Sequence, residues 1–165
     1  MSVKFKGNPV VLSAHTIKVG DKAPVVELVG KDLSSITIGG AKDEYQIINV
    51  VPSLDTGVCA TQARRFNQEA AKISNAKVYV VSMDLPFAQG RFCTTEGIEN
   101  LVVLSDFVDK TFGKAYGLLL QSGPLKGLLT RSVIVINPQG EVIYTEVCEE
   151  ITNEPHYDNA LNAIK

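Results

Sequence analysis

The chain has 165 residues, 45% hydrophobic and 21% charged, the proportions of a globular protein of single-domain size. A formal net charge of -2 with no dense Lys/Arg run excludes nucleic acid or an anionic membrane surface as the main partner. A chain this long buries roughly two thirds of the surface its unfolded form exposes, so its three cysteines are not needed as staples and are free for chemistry.

In chain order, Met1 to Pro9 has a little positive charge and no apolar run of signal-peptide length, which predicts a cytoplasmic protein. Phe5 to Leu12 reads as two extended pieces around a Gly7-Asn8-Pro9 turn, a hairpin extension (residues 1–17) that decorates the main sheet. Val19 to Pro24 is turn-rich, and Leu33 to Ile38 alternates as a strand before Gly39-Gly40. Tyr45 to Val51 is nearly all apolar and β-branched, a strand covered on both faces and ended by Pro52. From Gly57 to Ile73 the pattern turns helical, with Cys59, Ala63, Phe66, Ala70 and Ile73 at three- and four-residue intervals.

Ala76–Ser82, Leu101–Ser105 and Ser132–Ile136 are further buried strands, separated by helical patterns around Phe87–Thr95 and Val108–Tyr116. Asn137-Pro138-Gln139-Gly140 turns the chain into Val142–Val147, an antiparallel hairpin on a largely parallel sheet, and Tyr157–Ile164 closes as a helix. No apolar run approaches the ~20 residues that span a bilayer. The expected fold class is α/β: one domain over residues 1–165, with a central mixed, largely parallel sheet and helices on both faces.

The cysteines form no C-x-x-C pair, and only His15 and His156 are available to join them, so the expectation is no metal and no cofactor. Cys59 stands apart because it follows the loop Pro52-Ser53-Leu54-Asp55-Thr56-Gly57-Val58 and falls in the first turn of a helix. Unpaired amides at a helix N-terminus favour a thiolate, and a thiolate cleaves a peroxide O–O bond to leave a sulfenic acid. Such a sulfur must reach a cavity that admits substrate. Thr56, three residues earlier, can donate to peroxide or thiolate, or cap the helix. Pro52 can stiffen the loop and shield the sulfur, or simply end the strand. Arg131, just before the Ser132 strand, can point across the strand end toward Cys59, or be a surface charge.

The run Pro52-x-x-x-Thr56-x-x-Cys59, with Arg131, resembles the active-site pattern of the peroxiredoxin superfamily. The segments Asp84-Leu85-Pro86-Phe87-Ala88-Gln89-Gly90-Arg91-Phe92-Cys93, Ser105-Asp106-Phe107, Gly123 to Arg131 and Glu150 to Pro155 are similar to its bacterial thiol peroxidase subfamily, the atypical two-cysteine branch. That resemblance implies a thioredoxin-like fold, a homodimer, reduction by thioredoxin, and hydrogen peroxide and organic hydroperoxides as substrates. It also implies that Cys59 is peroxidatic, that Cys93 is the resolving thiol, and that a Cys59–Cys93 disulfide forms within one chain. A disulfide needs Cα atoms within about 7 Å, so cysteines on two different helices predict that one or both helix ends unwind.

Cys148 lies outside those motifs and reads as structural. His15 and His156 read as surface residues, and Glu149, Glu150 and Glu154 as a solvated acidic stretch. A second reading is a peroxide-responsive redox sensor that changes partners when Cys59 is oxidised. A thioredoxin-type disulfide exchanger fits less well, since Cys59-Ala60-Thr61-Gln62 lacks the second close thiol.

Overall fold

Residues 2–164 are described by a computed structural model of the chain. The first two strands, β1 (Ser2–Phe5) and β2 (Asn8–Val11), pair antiparallel as a sheet of their own. The turn between them is Lys6-Gly7, both at positive φ (51° and 83°), the backbone that a two-residue hairpin loop demands. The turn thus falls one residue earlier than expected, and Asn8 and Pro9 lie in the strand. Nor does the hairpin join the main sheet: Val3, Val10 and Leu12 form a separate apolar cluster with Leu120 and Ile151.

Strand β3 (Val26–Gly30) was not apparent in the sequence pattern, because it buries only alternate residues and follows a turn-rich segment. It pairs antiparallel with β4 (Ser35–Ile38), whose first two expected residues, Leu33 and Ser34, instead form the connecting turn. The chain then enters β5 (Tyr45–Val50), which is buried from Gln46 onward. Helix α1 (Gly57–Ala70), β6 (Ala76–Ser82), α2 (Pro86–Glu96), β7 (Val102–Ser105) and α3 (Thr111–Tyr116) follow. The fully buried β8 (Ser132–Ile136), β9 (Val142–Val147) and α4 (Tyr157–Asn162) complete the chain.

The strand order is β4-β3-β7-β6-β5-β8-β9. Only β7-β6-β5 run parallel; the four outer pairings are antiparallel. The sheet is mixed as expected, but its parallel part is confined to the centre. Parallel neighbours require a crossover, which α1 and α2 supply, whereas β8 and β9 are joined by the Asn137–Gly140 turn.

Alternation along the central strands sorts side chains to two faces. Ile47, Val78, Val80, Val103, Val133 and Val135 pack with residues of α1, α2 and α4. Ile48, Val50, Tyr79, Val81, Leu104 and Ile134 face the other way and pack with Phe112 and Tyr116 of α3. All the cysteine-bearing helices therefore lie on one face, with their N-terminal ends following the C-terminal ends of β5 and β6.

Candidate active site

Val51 makes the last ladder bond of the β5 edge, its amide donating to Val81 O at 3.1 Å. Pro52, buried and without an N–H, then turns the chain out of the sheet. Thr56 stops the loop by capping α1: its backbone is extended and its Oγ1 accepts from the Cys59 amide at 3.3 Å. Its hydroxyl proton goes to Ser53 O at 3.2 Å. The capping role is thus the one realised here, and Thr56 can turn its hydroxyl to another acceptor only by releasing Ser53. The first intrahelical bond runs from the Ala60 amide to Thr56 O, so the Gly57 and Val58 amides are the open donors at this helix end.

Cys59 falls in that first turn, as expected, but its side chain is fully buried among apolar residues that include Cys93. A cleft of about 350 Å³ runs between α1 and α2, with Thr56, Gly57 and Ala60 on one wall and Ala88, Arg91 and Phe92 on the other. Residues on both sides of Cys59 line it while the sulfur itself lies behind them. The expectation of a sulfur open to a cavity is corrected: Cys59 is fully buried behind the Thr56–Ala60 rim of this cleft.

Arg131 is no surface charge, being 2% exposed. Its Nε donates to Ile151 O at 2.6 Å and its Nη1 to Gln62 Oε1 at 2.7 Å. Gln62, fully buried one turn beyond Cys59, donates in turn to Asn49 Oδ1 on β5. The guanidinium is therefore held beside the Cys59 helix through an amide rather than on the sulfur. The sequence pattern did not single out Gln62; the one available signal was a polar residue three positions after Cys59 on an otherwise apolar helix face. Hydrogen bonds to a charged group cost much more to lose than to form, so this chain of Asn49, Gln62 and Arg131 fixes α1 against β5 and β8.

Cys93 lies on α2, buried, and its thiol is pushed upward by desolvation, with Lys31 opposing weakly. It is a poor spontaneous nucleophile where it stands. Cys59, Cys93 and Cys148 are all free thiols. Cys148 is buried, its amide bonds Arg131 O, and burial together with Glu146 raises its pKa to about 12 despite Arg131. A thiol so reluctant to ionise matches its reading as structural.

A further residue outside the expected set is Asp84, just past the end of β6. Its Oδ1 accepts from Ser53 Oγ and its Oδ2 from the Leu54 amide, both at 2.7 Å. Both donors belong to the loop that leads into Cys59. In the acidic stretch near the last helix, Glu149 and Glu154 are exposed as expected, and Glu150 has a further role. Glu150 accepts from the Gly7, Lys6 and Thr152 amides and from Thr152 Oγ1, which lower its pKa to about 2 and tie it to the hairpin turn. His156 is exposed, with Nδ1 2.7 Å from Glu146, and His15 is exposed as well. Among the described residues no cluster of His, Cys, Asp and Glu is arranged to hold a metal.

Known proteins resemble this chain over nearly its whole length. The Redoxin family profile covers residues 18–161. A thiol peroxidase from Campylobacter jejuni is 59% identical over 153 residues, 93% of this chain and 86% of its own length. The crystal structure of a peroxiredoxin-like protein from Aquifex aeolicus superposes with a TM-score of 0.96 at 48% identity, covering 99% of this chain and 95% of that one. A thiol peroxidase from Chromobacterium violaceum shares the fold at a TM-score of 0.89 but only 20% identity, over 98% of this chain and 94% of its own.

Proposed function

The chain belongs to the Redoxin family, in the company of bacterial thiol peroxidases, and from that premise we propose that it is a thiol peroxidase that reduces hydroperoxides at Cys59. The observation that carries the reading is Cys59 at the capped N-terminus of α1, where the Gly57 and Val58 amides are open, with Arg131 held against the same helix through Gln62. The Cys59 thiolate attacks one peroxide oxygen; the S–O bond forms as the O–O bond breaks, and the leaving oxygen takes a proton to depart as alcohol or water. The open amides and the positive guanidinium favour the negative charge that builds during this transfer. Thr56 contributes by setting the helix start, and Pro52 by fixing the loop ahead of it.

Cys93 is assigned as the resolving thiol. Its sulfur displaces water from the Cys59 sulfenic acid, giving the Cys59–Cys93 disulfide, which an external dithiol such as thioredoxin then reduces. The two cysteines share one apolar cluster but stand on separate helices, so α1, α2 or both unwind locally to bring them into bonding distance. Among the described residues no helix is long and apolar enough to cross a membrane; a cytoplasmic location and a homodimer complete the proposal, as does one domain that includes the hairpin extension.

Peroxide consumption with thioredoxin as reductant tests this. Cys59→Ser should reduce it to background, while Cys93→Ser should still take up one oxidising equivalent as sulfenic acid without forming the internal disulfide. Undiminished turnover in Cys59→Ser would end the proposal. The sensor alternative is not favoured by the thiol peroxidase relatives.

A further inference from the structure

If Cys59 and Cys93 are to join, the loop before α1, the first turns of α2, or both must move. One half-buried carboxylate connects both. Besides Ser53 Oγ and the Leu54 amide of the loop, Asp84 accepts from Ser82 Oγ at 2.9 Å. The Ser82 hydroxyl, having given its proton to Asp84, accepts from Gln89 Nε2 at 3.0 Å. Gln89 is fully buried on α2, one turn before Cys93 on the same face, and also donates to Leu104 O on β7 at 2.7 Å. Ser105 Oγ closes the network from β7 by donating to Asp84 O at 2.6 Å. Loop and β6 thus meet at the Asp84 carboxylate, α2 reaches it through Ser82, and β7 joins at the Asp84 backbone carbonyl.

Resting on the peroxidase reading, we propose that Asp84 is a positioning residue that holds the Cys59 loop in the conformation that reacts with peroxide, and that releasing this clamp is part of disulfide closure. The carboxylate oxygens act only as hydrogen-bond acceptors, and both loop donors, Ser53 Oγ and the Leu54 amide, leave them when the loop departs. Charge-assisted bonds of this kind are stronger than neutral ones. While they hold, Thr56 stays seated on the Cys59 amide and the helix start is intact. When they break, Ser53 and Leu54 leave, the first turn of α1 loses its anchor, and the Cys59 sulfenic acid can meet the Cys93 thiol, forming the S–S bond and releasing water.

The test separates the two chemical steps. Reduced wild type, Asp84→Asn and Ser53→Ala are mixed with hydrogen peroxide in stopped flow, with intact-mass measurement of sulfenic, sulfinic and disulfide forms. Loss of one or two such bonds should favour the open loop by about tenfold. Sulfenic acid formation should then slow, by no more than that factor in Asp84→Asn and by less in Ser53→Ala. Disulfide closure should quicken, and the sulfinic fraction at high peroxide should fall. Asp106→Asn, which weakens a comparable cap on α3, serves as the control for mere destabilisation and should leave the partition unchanged. Hydrogen exchange at Leu54 and Cys59 should accelerate in Asp84→Asn of the reduced protein, a readout that holds even if Cys59 proved not to be peroxidatic. Unaltered exchange there, or an equal shift of the partition in Asp106→Asn, would overturn the clamp.

Discussion

The two faces of the central sheet are built from the same strands by opposite means. Beneath α3, the face is held by shape: Phe112 and Tyr116 stack with ring centroids 4.5 Å apart, and both are fully buried against Ile48, Leu104 and Ile134. Its polar groups include Asp106, which accepts from the Phe112 and Gly113 amides, and Tyr116 OH, which donates to Pro24 O. Beneath α1, α2 and α4, the apolar packing is interrupted by Asn49, Gln62 and Arg131, and Cys59 and Cys93 sit there. One face supplies rigidity that no reaction has to disturb. The other accepts the cost of buried polar groups because it must orient a sulfur and later let it move.

The sharpest test of this division is Phe112→Ala, which empties a fully packed site and should cost about 3–5 kcal/mol by chemical denaturation, yet leave the rate of Cys59 oxidation within about twofold. A matching fall in that rate would show that the faces are not independent. Gln62→Leu should cost somewhat less, about 3 kcal/mol, by stranding the Arg131 and Asn49 polar atoms. Here the peroxide reaction should slow at least about tenfold, since the guanidinium loses its hold beside α1. Stability and rate thus part company on one face and fall together on the other.

Smaller effects refine the picture. Thr56→Ala removes the cap of α1 and should cost about 1 kcal/mol, with faster hydrogen exchange at Cys59 as its local signature. The acid response should bypass both faces. Glu150 has a folded pKa near 2 against an ordinary 4.5, so its contribution is full above about pH 4.5 and is lost as pH falls toward 2. Over that window the β1–β2 hairpin should detach, seen as proton exchange at Lys6 and Gly7, before the main sheet unfolds. Glu150→Gln should weaken the hold at neutral pH and remove that step.

Much of the site was legible because it is local. Pro52, Thr56 and Cys59 lie within eight positions of one another, and the cap, the loop and the helix start follow from their own backbone preferences. The Val78–Val81 run of β6 and the Val133–Ile136 run of β8 were equally clear, since strand segments covered on both faces read as near-continuous apolar runs. Strand β3 was hidden because only Val26, Leu28 and Gly30 of it are buried, too short an alternation to stand out beside turn residues.

What the sequence by itself determined is which residues start helices, which runs fill the core, and which sulfur sits at a helix end, because each is decided by neighbours a few positions away. Only the tertiary structure decided that three outer pairings besides the expected β8–β9 hairpin run antiparallel, that Cys59 is covered, that Arg131 is held by Gln62 across 69 positions, and that Asp84 reaches back 31 positions to Ser53. Those contacts join segments whose local patterns are indifferent to one another, and only the closing of the sheet brings their polar atoms within reach, where a buried donor or acceptor must find a partner.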